Sequence, residues 1–468
     1  MRPFAQLSEL SLELDPPETL VTVPTTLLLP LERRDITAHS VVGILSAVIF
    51  FGRLEFGAAR RNRAASQPGM MNAVPYDAHV ASEQTSMLLW ECCRRDPNLS
   101  AVRRALTNGA DTELALAAAA MHGIEPLLWR ALGAAGARDT LGPEAMVLRA
   151  VADACRMEAL LLIPQAVALS VQPLTEAGIQ PLVFKGPAVA RHYPEPGLRP
   201  MGDIDLLLPV ADHARALNVL RRAQWVVVRA GGAGHYDTQL VHSHVPSLSL
   251  ELHYGLEPSS ERVTALDPAV LWERRVPLDC AGTLAFGLSP ADEVVVLAAH
   301  AGKPFHGFTR LIWTADLAMI VGDSAADGSP MDWDAVRAAA EEARCLTVVG
   351  AALELARRVG VDAPSEYFPL PTHGWRGRTL RRLLSITWPV TAHELHRYHL
   401  TYALTDDPAQ RVRNLLALVG KWHGLKMRAQ TLGGRLCHPI WSRPHATTRS
   451  SVLRYTHSKA RQREPLFE

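Results

Sequence analysis

The 468-residue chain has no C-x-x-C pair, which excludes a zinc ribbon and a thioredoxin-type redox site. Its six cysteines, Cys92, Cys93, Cys155, Cys280, Cys345 and Cys437, are scattered, and a reduced, cytoplasmic protein is the expectation. An excess of one charge is also missing. Lys+Arg 48 against Asp+Glu 47 gives no general attraction to nucleic acid or membrane. Met1-Arg2-Pro3 does not open a signal peptide, and no internal repeat is visible. The apolar run SVVGILSAVIFFG at 40–52 is shorter than the roughly 18 residues of a spanning helix. Arg53, Arg60, Arg61 and Arg63 follow it. A docked or unstructured extension is the reading, with an interfacial membrane anchor over 40–63 as the alternative.

What is present is ordinary globular material, 48% apolar and 20% charged. The length predicts two or three domains. Residues 1–79 read as an accessory extension, weak in periodic signal. Residues 80–178 read as helical, with Ser82 as an N-cap and alanine- and leucine-rich runs such as TELALAAAAMHGIEPLLWRALGA. From 179 to 266 the pattern alternates between strand and helix. IQPLVFKG is a strand ending in a glycine turn, PAVARHY a helix, DIDLLLP a strand, and ADHARALNVLRRAQW an amphipathic helix. VVVRAGG follows as a strand, then two strands that separate near Pro246. Residues 267–430 turn helical again, with a capping signature at Ser289 and Glu293. Residues 431–468 read as a basic, weakly ordered tail. The fold class is α/β (α+β): a mixed-sheet core flanked by N-terminal and C-terminal helical regions.

The chemistry concentrates in RPMGDIDLLL at 199–208. Residues i and i+2 of a strand share a face, so Asp203 and Asp205 project together. Two carboxylates side by side repel unless a cation lies between them. Their hard oxygens suit Mg²⁺, or Mn²⁺ in its place. In SLELHY, Ser249, Glu251 and His253 share one face. If that strand lies beside DIDLLL, Glu251 becomes the third carboxylate. Lys185-Gly186 stands where a strand meets a helix, a place for close approach to phosphate. Arg199, just ahead of Gly202, would clamp a phosphate bidentately. His253 would orient one. His242, His244, His253 and His300 lack an H-E-x-x-H helix or a cysteine partner, so they read as satisfied or surface histidines and not as a zinc site. For His300 that means a hydrogen bond to Asp316 or a backbone carbonyl. Trp313 and Trp333 read as core.

Lys185-Gly186, RPMGDIDLLL, ELHY, LAAHA at 297–301 and WTADLAM at 313–319 together resemble the nucleotidyltransferase superfamily. The nearer resemblance is to its uncharacterised bacterial nucleotidyltransferase-like branch, over about residues 80–360. The resemblance implies Mg²⁺-dependent transfer of a nucleoside monophosphate from an NTP to an acceptor left open. It implies Asp203, Asp205 and Glu251 as catalytic and metal residues, and Lys185, Gly186, Arg199, Gly202 and His253 on the nucleotide. Pro187 departs from the small hydroxyl residue common after the glycine, leaving Lys185 and Arg199 to compensate. Tyr254 replaces the expected tryptophan. Two other readings stand beside it: a nucleotide-binding or regulatory module without catalysis, and a membrane-associated accessory protein.

Overall fold

The computed structural model describes residues 78–231, 236–257, 262–303, 306–326, 328–385 and 400–414. The expectations for residues 1–77, including the 40–63 segment, and for the basic tail lie outside these residues. Six helices come first: α1 (Ala78–Cys92), α2 (Leu99–Thr107), α3 (Thr112–His122), α4 (Glu125–Ala134), α5 (Glu144–Met157) and α6 (Ile163–Glu176). The first starts four residues ahead of the expected cap at Ser82. Asn98 and Asp111 cap α2 and α3 through side-chain bonds to Ala101 N and Leu114 N. Gly123, in the left-handed region, closes α3. A π-turn over Glu158–Leu162 joins α5 to α6. The continuous helix Glu144–Glu176 is long and apolar enough to cross a membrane by length and composition alone. Here Ala166, Val167, Ser170, Val171 and Leu174 are buried, and the Trp225 indole donates to Leu169 O at 3.1 Å.

The sheet segment then runs β1 (Leu182–Phe184), α7 (Gly186–Ala190), β2 (Asp203–Leu207), α8 (Val210–Arg222), β3 (Trp225–Arg229), β4 (Asp237–His242) and β5 (Val245–His253). The turn between β4 and β5 lies at Ser243–His244, close to Pro246, which itself falls within β5. After α9 (Pro268–Glu273) come two strands where helix was expected, β6 (Val276–Cys280) and β7 (Thr283–Gly287). The seven strands form one sheet in the order β3-β4-β5-β2-β1-β7-β6. It is mixed: β2 pairs with β5 and β1 with β7 in parallel, the rest antiparallel.

Helices resume with α10 (Pro290–Gly302), α11 (Leu311–Ala326), α12 (Trp333–Glu342), α13 (Leu346–Arg357) and α14 (Gly374–Leu384). Ser289 caps α10 as expected. Its hydroxyl accepts from Asp292 N and donates to Asp292 Oδ2, while Glu293 turns instead to Arg191 and His192. The helices before and after the sheet share one apolar core. Leu88, Leu127, Leu128, Val295, Leu311, Ala315 and Val349 belong to the same buried cluster. Leu182, Phe184, Leu207 and Val296 form a smaller one. Leu207 shares a face of β2 with Asp203 and Asp205, so α10 lies over the carboxylate-bearing face of the sheet.

Candidate active site

Parallel pairing sets the acidic group. In the β2–β5 register Asp203 lies opposite Ser249, Asp205 opposite Glu251, and Leu207 opposite His253. Neighbouring strands lie about 4.8 Å apart, so Asp205 and Glu251 present their carboxyls side by side. Ligating atoms of Asp205, Glu251 and His253 all fall within 4.8 Å of one another. Asp205 is buried, and Asp203 and Glu251 are half-buried. Burial, then the charges of Asp205 and Glu251, push the Asp203 carboxyl up to about 6. Asp205 goes the other way. Burial opposes its charge, but the Lys185 ammonium and the His253 hydrogen bond hold it well below the usual carboxylate range.

Lys185 reaches that position from a strained turn. It has φ +58 and caps α7, an uncommon conformation for a residue with a side chain. Its Nζ lies 2.6 Å from Asp205 Oδ1. Gly186 follows at φ +33, and a Cβ there would lie 3.0 Å from the Asp203 carbonyl oxygen. The turn therefore presses against the start of β2 and needs glycine. Pro187 sits in the first turn of α7, where the missing N–H breaks no helical bond.

Three residues expected on the nucleotide have other partners. His253 is 2% exposed; its Nε2 lies 2.9 Å from Asp205 Oδ1 and 3.3 Å from Glu251 Oε2. An imidazole nitrogen between two carboxylate oxygens carries a hydrogen, so His253 orients the acids and is not free for a phosphate. Those two bonds also raise its pKa against the opposing effect of burial. Arg199 grips Asp316, Nε to Oδ1 at 2.8 Å and Nη2 to Oδ2 at 3.0 Å. Tyr193 donates to the same Asp316 Oδ1 at 2.7 Å. The bidentate geometry expected for a phosphate is thus taken by a fully buried carboxylate on α11. Gly202 meets no steric demand; its carbonyl accepts from Ser249 N and Oγ. His300 is not the partner of Asp316. Its carbonyl accepts from His306 Nδ1 at 2.6 Å, and its own Nδ1 is buried without a partner among the described residues.

A further wall escaped the sequence reading. A narrow cleft of about 10 Å³, room for about one water molecule, lies between the sheet and α10. Phe184, Lys185, His253, Glu257, His300 and Lys303 are among the residues lining it. Val296, Ala299 and His300 line it from α10 and Lys303 from the residue that caps its end. Their spacing of three, four and seven places them on one helical face, a signal present in VLAAHAGK. Lys303 is 9% exposed. Its Nζ lies 3.4 Å from Tyr236 Oη and 4.8 Å from the centre of that ring. Burial, then the Lys185 charge, lowers its pKa to about 8. Glu257 is buried nearby, its carboxylate already accepting from Val263 N, Thr264 N and Thr264 Oγ1.

The donor set fits a hard divalent cation. Asp205, Glu251 and His253 bring two carboxylates and an imidazole close enough to hold one ion, and Asp203 shares the face of β2 with Asp205. The Asp203 carboxyl, raised by burial and then by two neighbouring carboxylates, is also one whose ionised form a cation would stabilise. No curated protein matches the chain. The model of a family described as uncharacterised nucleotidyltransferase matches residues 108–360, more than half of the 468. That span contains β1, β2, β5, α10 and α11, and with them every site residue described above. The chain belongs to the uncharacterised nucleotidyltransferase family.

Proposed function

We propose that the protein is a metal-dependent nucleotidyltransferase that moves a nucleoside monophosphate from an NTP to an acceptor hydroxyl. The observation that carries this reading is the β2–β5 register, which sets Glu251 beside Asp205 with Asp203 on the same face. Asp203, Asp205 and Glu251 would hold Mg²⁺, or Mn²⁺. The bound ion would neutralise phosphate charge and polarise the α-phosphoryl group. The acceptor oxygen bonds to the α-phosphorus as the bond to the bridging oxygen breaks, and pyrophosphate leaves. Glu251, half-buried beside Asp205, takes the acceptor proton. His253 keeps Asp205 and Glu251 aimed during this step. A reducing, cytoplasmic setting belongs to the same proposal; Cys92, Cys93, Cys155, Cys280 and Cys345 are buried free thiols.

The test is pyrophosphate release from each of the four NTPs with Mg²⁺ or Mn²⁺ across a panel of sugar, alcohol, peptide and protein acceptors. Release should fall at least a hundredfold in Asp205→Asn and Glu251→Gln. Equal turnover in these variants would end the proposal. A second reading is a nucleotide-binding module without catalysis. It is favoured by Asp205 Oδ1, which already takes both Lys185 and His253. Calorimetric NTP binding with no pyrophosphate release under any condition would select it.

A further inference from the structure

The two cations expected to grip phosphate are both committed to carboxylates, Lys185 to Asp205 and Arg199 to Asp316. A triphosphate tail carries about four negative charges, so the site needs another cation. Lys303 has what the other two lack. Among the described residues its ammonium makes one hydrogen bond, the long one to Tyr236 Oη, and no ion pair. It offers three donors. A buried ammonium with donors unfilled is costly unless an anion completes it. Glu257, which lines the same cleft, already accepts from three other donors. One turn back on the same face, His300 lines the same cleft with a buried, unpartnered Nδ1. Lys185 and His253, which both contact Asp205 Oδ1, line the same cleft as Lys303, so it stands one residue away from the carboxylates and not at a remote surface.

We propose that Lys303, supported by His300, is the anion-holding wall of this cleft and takes the terminal phosphates of the donor nucleotide, the pair that leaves as pyrophosphate. The inference rests on the nucleotidyltransferase reading and names the residue that grips the leaving group. Lys303 comes from the helical layer and the carboxylates from the sheet, so the two ends of the triphosphate are held by different layers of the fold.

The test is calorimetry on the full chain with Mg²⁺ and three probes: inorganic tripolyphosphate, which carries no base, each of the four NTPs, and AMP. Wild type should bind tripolyphosphate and at least one NTP. Lys303→Met should lose about tenfold or more in affinity for both, roughly 1.4 kcal/mol, with AMP unchanged. Lys303→Arg should recover part of the loss. Removing an incompletely paired buried charge should leave the melting temperature at or above that of wild type, so a loss of binding is not a loss of fold. If Lys303→Met does not fold, Lys303→Arg and His300→Ala carry the comparison, and unchanged affinity in both overturns the inference. Equal tripolyphosphate and NTP binding by wild type and Lys303→Met overturns it while leaving the nucleotidyltransferase reading intact. Failure of wild type to bind tripolyphosphate or any NTP overturns both.

Discussion

Asp203 and Asp205 carry the same carboxyl two residues apart, yet their surroundings make them opposite in stability. Asp203 has no ion pair among the described residues, and its pKa of about 6 lies above the ordinary 3.8. The folded state holds that proton more tightly than the unfolded one, so stability falls as pH rises from about 4 to about 6 and stays lower above. Asp203→Asn should therefore raise the stability of metal-free protein at pH 7.5 by about 1–2 kcal/mol and leave it unchanged near pH 4. Melting curves in EDTA across that range check the sign. The same variant should weaken Mg²⁺ binding. Asp205 is paired with Lys185 and His253, and Asp205→Asn leaves both buried without a counter-charge. That should cost about 3–5 kcal/mol, read as a lower urea midpoint. Two isosteric changes with opposite effects would establish that one acid is strained by its neighbours and the other held by them.

Much of this was legible in the residues. The two-residue period put Asp203 and Asp205 on one face, and the alternation in SLELHY put Glu251 and His253 on another. Their meeting needed only that the two strands pair. The partners of Arg199 and His253 were not legible. A guanidinium suits a carboxylate as well as a phosphate, and nothing in RPMGD announces that Asp316, over a hundred residues on, points at it. That error is physical: sequence pattern gives the face a side chain occupies, and the fold decides what fills the space in front.

Among elements, the contact of the 191–202 loop with α11 ties the helical layer to the carboxylate-bearing strand β2. Tyr193 and Arg199 converge on Asp316, which is fully buried. The burial of Tyr193 and the Asp316 charge push its hydroxyl pKa well up, and Arg199 stays charged despite burial, through Asp316. Asp316→Asn and Arg199→Met should each destabilise by about 3–5 kcal/mol, because each leaves a buried partner unmatched. The double variant Arg199→Met/Asp316→Leu should cost less than the sum. A double-mutant cycle by urea denaturation measures that coupling, and simple additivity would show that the two residues act separately. The β6–β7 hairpin, by contrast, was hidden. Its two-residue turn is Ala281-Gly282, both at positive φ, without the Asn-Gly or Asp-Gly that usually marks such turns. Pro277 within β6 also argues against a strand, yet β6 is the sheet's edge, where proline is tolerated.

At the scale of the molecule, the helices before and after the sheet do not form two bodies. Leu88, Leu127 and Leu128 from the first set and Val295, Leu311 and Val349 from the second lie in one buried cluster, joined by Val189, Tyr193 and Leu198 from the sheet segment. Reading along the chain separates these helices by more than a hundred residues, because sequence order records neighbours along the backbone and not across a core. The sheet segment depends on this arrangement. The far wall of the site is α10, and Val296 of that helix packs on Leu182, Phe184 and Leu207. A fragment of residues 179–266 lacks α10, β6 and β7, which leaves the carboxylate face of the sheet exposed and β1 without its parallel neighbour. Such a fragment should not fold, and its amide proton spectrum should show the narrow dispersion of an unfolded chain. In the intact protein, unfolding should be one transition. Far-ultraviolet circular dichroism, which follows the helices, and tryptophan fluorescence, which includes Trp90 in the shared core and Trp225 on the sheet, should give coincident urea midpoints. Two separated midpoints would mean that the sheet and the helical layer are independent, and the site, built from both, would then open without global unfolding.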